Sequence, residues 1–115
     1  MNIDIVRGSS HDYTFTITAN GLPFDLTGAI IAFMVKKRAE DDDSEALFTK
    51  TLGDGINMID PSSGVFTVRI SAIDTKDLYY KFLYFECVIE RSGDMLRQGV
   101  NTFTLLDNVL HENIL

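Results

Sequence analysis

Hydrophobic and polar residues alternate along most of this chain, and the alternation predicts a protein built from β-strands. The most apolar strand is predicted over residues 29–37. Its first face, read at the strand period of two, carries Ala29, Ile31, Phe33 and Val35. Its second face carries Ile30, Ala32 and Met34. A strand that is apolar on both faces is expected inside a sheet, with one face on the core and the other against a partner or a covering loop.

Other strands are predicted on both sides of this central strand. Their ranges are 2–6, 12–18, 47–52, 56–59, 65–70, 81–91 and 95–107. Ser71 precedes Asp74 by three residues, which is typical of a helix start, so a single helical turn is expected over residues 72–78. Gly99 is expected to mark a bulge in the last strand.

The number and spacing of these elements predict the fold class. Seven or eight short strands with one helical turn are typical of an all-β, immunoglobulin-like antiparallel β-sandwich. The strands follow one another too closely for repeated βαβ crossovers, which need room for a helix. The 115 residues fit one domain. We predict a β-sandwich over residues 1–107 and a C-terminal tail over residues 108–115.

Charge and composition disfavour several classes of function. There are 17 Asp and Glu residues against 10 Lys and Arg, a net charge of -7, which disfavours nucleic-acid binding. No apolar run approaches the ~20 residues of a membrane helix, and the first residues do not resemble a secretory signal, so no membrane association is expected. Cys87, the only cysteine, allows no internal disulfide and is predicted to be a small buried hydrophobe.

The search for catalytic and metal-binding groups finds little. Residues 9–12 bring Ser, His and Asp together in sequence, but triad members meet through folding rather than adjacency, so a polar loop is the preferred interpretation. The acidic residues 40–45 offer oxygen ligands for calcium but lack the spacing of a known calcium loop, and a solvated charged loop is preferred. We therefore expect no catalytic residues, no cofactor and no metal, and predict that the chain is not an enzyme.

Two apolar features favour docking to a partner instead. The outward face of the strand at 81–91 and the second face of the central strand together expose Ile30, Met34, Phe82, Tyr84 and Val88. A contiguous apolar patch of this kind usually meets a partner, although coverage by the short helix and loops is an equal alternative. The second feature is the apolar part of the tail, which packs on its own domain or reaches a neighbouring copy. Its candidate docking residues are Val109, Leu110, Ile114 and Leu115.

The order of several short motifs resembles a family of tailed-phage proteins. The motifs are YTFTI at 13–17, GLPFDLTGAII at 21–31, KK at 36–37, DPSSGVFTV at 60–68 and DT at 74–75. They resemble the immunoglobulin-like N-terminal domain of phage baseplate upper proteins and its stand-alone relatives, over residues 12–107. The family often carries Gly-x-Tyr before its late strand, where this chain has YYKF at 79–82. No long receptor-binding region follows, which favours a compact accessory or connecting subunit.

The resemblance implies a function without catalysis. It implies a structural subunit of a tailed-phage virion, in the tail, baseplate or neck, made in the cytoplasm of the host bacterium. The implied partners are other virion structural proteins, with a homo-oligomer or ring in the particle. One alternative is a capsid decoration or head-fibre-base protein of the same fold. Another is a carbohydrate-binding module that stacks sugars on Tyr79, Tyr80 and Tyr84, which the absence of Trp makes less favourable.

Overall fold

The structure, a computed structural model, describes residues 1–97 and 101–108, and almost all of its regular elements are β-strands. The strands are β1 (Asn2–Val6), β2 (His11–Thr16), β3 (Thr18–Ala19), β4 (Leu22–Pro23), β5 (Ile30–Lys36), β6 (Phe48–Leu52), β7 (Gly55–Asp60), β8 (Val65–Ile70), β9 (Phe82–Arg91), β10 (Asp94–Arg97) and β11 (Asn101–Leu106). One helical turn, α1 (Ala72–Thr75), and two 3₁₀ turns, Asp43–Glu45 and Pro61–Ser63, accompany them. The predicted all-β class with minimal helix is confirmed.

One large sheet contains nearly all of these strands. Its order is β1-β11-β9-β5-β6-β7-β8-β2, with β10 paired to the second half of β9, while β3 and β4 form a separate hairpin. Two pairs depart from the predicted antiparallel pattern, since β1 runs parallel to β11 and β6 runs parallel to β7. β1 and β11 come from opposite ends of the described chain, so no hairpin turn fixes their relative direction.

The sheet folds over so that its two halves pack face to face. The Phe15 ring on β2 lies 6.2 Å from the Phe33 ring on β5 and 6.5 Å from the Phe85 ring on β9, centroid to centroid. We call β1, β11, β9, β5 and β6 the first layer, and β7, β8 and β2 the second layer. The core between the layers contains Ile3, Ile5, Phe33, Ile56, Phe66, Val68, Leu83, Phe85, Phe103 and Leu105, all at most 3% exposed. Each such large side chain contributes about 1.5–3 kcal/mol when it is fully buried.

The strand predicted to be central is in the middle of the first layer. β5 pairs with β9 on one side and with β6 on the other, and Phe33 faces Cys87 across the β5–β9 pair. The predicted inward face of β5 is buried at Ile31, Phe33 and Val35. On β9 the buried side chains alternate as predicted, at Leu83, Phe85, Cys87 and Ile89.

The predicted turns also occur where the sequence places them. Asn20 and Gly21 have φ angles of 53° and 77°, and this pair of positive φ angles suits the two-residue hairpin that joins β3 to β4. The backbone N–H of Ser71 donates to the Asp74 carboxylate at 2.7 Å, at the start of α1. α1 ends at Thr75, earlier than predicted. The bulge predicted at Gly99 lies outside the described residues, although the registers of β10 and β11 against β9 differ by one residue.

Candidate docking surface

The outer face of the first layer carries the five docking residues that the sequence predicts on strands. Ile30 on β5 is 65% exposed and Phe82 on β9 is 70% exposed. Met34, Tyr84 and Val88 are half-buried. Because β5 and β9 are antiparallel neighbours, Met34 faces Glu86 and lies between the two exposed residues, which occupy opposite ends of this face. We call this surface the outer face.

A loop covers the middle of the outer face but not its ends. The Lys36 ammonium donates to the backbone oxygen of Asp41 at 2.9 Å and to the Asp43 carboxylate at 2.7 Å, which holds the acidic loop against the sheet. Arg97 on β10 pairs with Glu86 at 2.8 Å. Two shallow adjoining pockets, of about 180 and 210 Å³, remain between the loop and β10. The lining side chains include Ala32, Met34, Ala39, Tyr84, Val88 and Met95.

Two carboxylates of the acidic loop form ion pairs with neighbouring cations. The hydrogen bond from Lys36, together with its positive charge, lowers the pKa of the Asp43 carboxyl below its usual value of 3.8. Asp41 pairs with the Arg38 guanidinium at 3.1 Å. Across residues 1–97 and 101–108, no three His, Cys, Asp or Glu side chains gather in a way that could hold a metal ion. The geometry therefore gives this loop a structural role in covering the sheet.

The polar cluster at residues 9–12 is also occupied by structural contacts. The Ser9 hydroxyl donates to the backbone oxygen of Val6, and the Ser10 hydroxyl accepts the backbone N–H of Ala72 at 2.8 Å. Asp12 pairs with Arg69 on the neighbouring strand at 3.3 Å. These contacts hold the β1–β2 connection against α1 and β8, and the structure does not bring Ser, His and Asp together as a triad.

The thiol of Cys87 is buried as predicted. Its side chain is 1% exposed and lies in the core. Burial, with a smaller contribution from the charge of Glu86, raises the pKa of the thiol to about 12. The thiol is therefore protonated at neutral pH and shielded from reagents.

A buried arginine anchors the end of β11, from which the predicted tail begins. Arg7 is 6% exposed, and its Nη1 lies 3.1 Å from the Asp107 carboxylate. Its Nε donates to the backbone oxygen of Leu78. The docking residues predicted in the tail, Val109, Leu110, Ile114 and Leu115, lie outside the described residues.

A feature that sequence reasoning missed is the pairing of lysines with exposed aromatic rings. Eight of the ten Lys and Arg residues form ion pairs with described carboxylates. The other two lie over rings instead: Lys37 Nζ is 4.7 Å from the Tyr80 ring centroid, and Lys81 Nζ is 5.5 Å from that of Phe82. No linear motif indicates the contact between Lys37 and Tyr80, because it depends on β5 ending beside the start of β9.

Comparison with known proteins finds a likeness of fold but no sequence family. No protein-family model matches the sequence, and no curated protein matches it either. The fold is similar to the "N-terminal domain of phage TP901-1 ORF48", with a TM-score of 0.47 and 16% sequence identity, over 92% of this chain and 81% of that chain. A likeness at this level carries no argument about function. Within residues 1–97 and 101–108, no helix is long and apolar enough to cross a bilayer.

Proposed function

We propose that this protein is a non-enzymatic structural subunit of a tailed-phage virion, in the tail, baseplate or neck, which assembles by protein–protein docking. Two independent observations support the proposal. The motif order from residue 12 to residue 107 resembles the baseplate upper protein family. The outer face presents Ile30 and Phe82, which the rest of the described chain leaves exposed.

The single observation that carries the docking role is the exposure of Ile30 and Phe82. Both belong to the longest strands of the first layer, and both are at least 65% exposed. Single exposed apolar residues are common on soluble proteins. Here, however, both lie on one face of the sheet. Met34, Val88 and Tyr84 between them are half-buried, partly beneath the acidic loop, and the two exposed ends are the part of this face that a partner can reach.

Incorporation into particles tests this role directly. Virions are purified from cells in which the native copy is replaced by Ile30→Asp, by Phe82→Asp or by the control Ile59→Asp. Ile59 is 61% exposed on β7 in the second layer, so its substitution matches the other two in chemistry but not in location. We expect at least about a tenfold loss of the first two variants from particles, with wild-type amounts of the control. Absence of the wild-type protein from purified virions would contradict the proposal.

A capsid decoration or head-fibre-base role requires the same outer face and differs in where the subunit is located in the particle. Copy number separates the two roles, because decoration places a subunit on many capsid positions and a tail ring has few. Quantitative mass spectrometry of purified particles, calibrated on the major capsid protein, measures this ratio. Particle microscopy with a label on this chain then gives its position.

Carbohydrate binding is a weaker candidate, with one observation in its favour. Tyr79 and Tyr80 are exposed at the start of β9, as a stacking platform would require. However, Arg7 lies over the Tyr79 ring at 4.8 Å and Lys37 lies over the Tyr80 ring at 4.7 Å, so cations occupy ring faces that a sugar needs. A glycan array on which the protein binds no sugar would remove this candidate.

A further inference from the structure

The two ends of the outer face are both apolar, but they carry charges of opposite sign. At one end, Lys37 and Lys81 lie over the exposed rings of Tyr80 and Phe82. We call these four residues the cationic end. At the other end, Ile30, Glu90 and Met95 are exposed on the outer face, and Asp94 is exposed next to Met95 on the opposite side of the sheet, where it faces Arg91 of β9. We call Ile30, Glu90, Asp94 and Met95 the anionic end.

The register of the first layer places these ends on opposite sides of the molecule. Ile30 faces Glu90 across the β5–β9 pair, and Met95 faces the same Glu90 from β10. Lys36, the last residue of β5, faces Tyr84 at the other end of the β5–β9 pair. From Phe82 to Glu90 the strand spans eight residues, about 26 Å at ~3.3 Å per residue. The two ends therefore cannot neutralise each other within one copy.

The charges at both ends lack ion-pair partners among the described residues. Lys37 and Lys81 are the two cations outside the ion pairs, and neither Glu90 nor Asp94 is joined to a described cation by an ion pair. The acidic loop that follows Lys37 folds back over the sheet, where Asp43 lines a pocket with Val88 and Met95. The Asp43 carboxylate in this pocket is already paired with Lys36 at 2.7 Å, so it does not offset the charge of Lys37 or Lys81.

We infer that copies of this chain associate head to tail, with the cationic end of one against the anionic end of the next. Phe82 and Tyr80 would then pack on Ile30 and Met95, while the lysines meet the carboxylates. The two surfaces differ, so the contact is heterologous and repeats into a ring or an open filament rather than stopping at a dimer. The inference rests on the proposed function for its setting in a particle, and it names a second copy as the partner.

A charge-swap complementation experiment in solution tests the contact. The cationic-end variant is K37E with K81E, and the anionic-end variant is E90K with D94K. In head-to-tail association, each variant alone meets only like charges, and we expect its association constant to fall at least about tenfold. An equimolar mixture restores opposite charges at every contact, so it should recover association as alternating copies. Sedimentation velocity over a concentration series measures all three samples.

Two further measurements complete the test. The control D54K with D60K has the same change in net charge as the anionic-end variant, but its sites are the β6–β7 turn and the end of β7, and neither carboxylate forms an ion pair with a described cation. It should associate like the wild type. Raising the salt concentration from about 0.05 to 0.5 M should weaken wild-type association, because salt screens exposed charges.

The outcomes that overturn the inference are specific. One is that both the wild type and the equimolar mixture of the two charge-swap variants remain monomeric up to millimolar concentration. Another is a wild type that stops at a dimer, or a mixture that fails to recover association. If the charge-swap variants still enter virions at wild-type amounts, head-to-tail association is wrong while the proposed virion role stands. If the wild type is absent from virions but the mixture of variants recovers association, the proposed virion role is wrong while head-to-tail association stands.

Discussion

Lys50 on β6 and Asp74 on α1 form an ion pair that is largely withdrawn from solvent. The Lys50 Nζ lies 2.6 Å from Asp74 Oδ2, and the two side chains are 13% and 14% exposed. The same carboxylate accepts the backbone N–H of Ser71, so one side chain both starts α1 and ties it to the first layer. This pair joins elements that lie more than 20 residues apart in sequence.

Breaking this pair from one side should destabilise the fold. Asp74→Asn keeps an acceptor for Ser71 but leaves the Lys50 charge without its partner, and we expect a loss of about 2–4 kcal/mol. Lys50→Met should cost a similar amount, while the double variant should cost less than the sum because neither charge remains. Urea unfolding of the four proteins gives the coupling energy. Additive losses would contradict a direct interaction.

The turn at Gly64 should accept no side chain. Gly64 has a φ angle of 75°, and its backbone oxygen accepts the Ile17 N–H at 2.8 Å. A Cβ atom there would meet the backbone oxygen of Ile17 and lie 2.8 Å from that of Phe24. Gly64→Ala should therefore cost at least about 3 kcal/mol, because steric overlap adds to the backbone strain.

The matched control for this turn is Gly28→Ala. Gly28 has a similar φ angle of 76°, but a Cβ atom there has nothing within 4 Å. Only the backbone strain remains, about 1–2 kcal/mol. Thermal unfolding compares the stability of the two variants. Equal losses of stability would mean that the backbone oxygens of Ile17 and Phe24 do not lie close to Gly64.

Truncating two phenylalanines on neighbouring strands should change the free energy of unfolding by very different amounts. Phe33 is fully buried and its ring lies 5.2 Å from that of Phe85, so Phe33→Ala should cost about 3–5 kcal/mol through the cavity it leaves. Phe82 is 70% exposed, and Phe82→Ala should change stability by no more than about 0.5 kcal/mol. A urea midpoint that Phe33→Ala leaves unchanged would show that β5 is not central.

The buried thiol should make the fold sensitive to alkaline pH. The pKa of Cys87 rises from 9.0 to about 12 in the folded state, so the unfolded chain releases the thiol proton first. The stability contributed by the protonated thiol is complete below pH 9 and is lost as the pH rises through 9 towards 12. Cys87→Ala should flatten this part of the stability profile, measured by urea unfolding at several pH values.

Alkylation gives an independent check on the same thiol. Iodoacetamide at pH 8 should leave folded protein unmodified and should modify it completely in denaturing urea, as measured by mass spectrometry. Rapid modification of the folded protein would show that the core around Cys87 opens easily.

Removal of residues 109–115 should separate folding from assembly. The deletion retains Asp107 and its ion pair with Arg7, so we expect an unchanged urea midpoint. We also expect reduced incorporation into virions, since the removed segment contains four apolar residues predicted to dock. Loss of folding on deletion would instead place this segment in the core.

Much of the strand content was predictable because it depends on local alternation. The buried residues of β9 and the exact span of β8 follow from side chains that alternate between an apolar and a polar environment. The Asn20–Gly21 turn follows from backbone conformations that few other residues adopt. The position of Ile30, Met34, Phe82, Tyr84 and Val88 on the outer face was predictable for the same reason, because they form the second side of strands whose first side forms the core; that a partner docks there stays a prediction.

The sequence by itself determined the position of most strands, the buried side of the long strands, and that the chain is acidic. Only the tertiary structure decided that β1 lies parallel to β11, that Lys50 meets Asp74, and that Lys37 lies over the Tyr80 ring at the end of the sheet far from Glu90. The physical reason is that alternation specifies a face but not a neighbour. Hydrophobic burial is non-directional, so the choice of neighbour depends on how all the strands pack together.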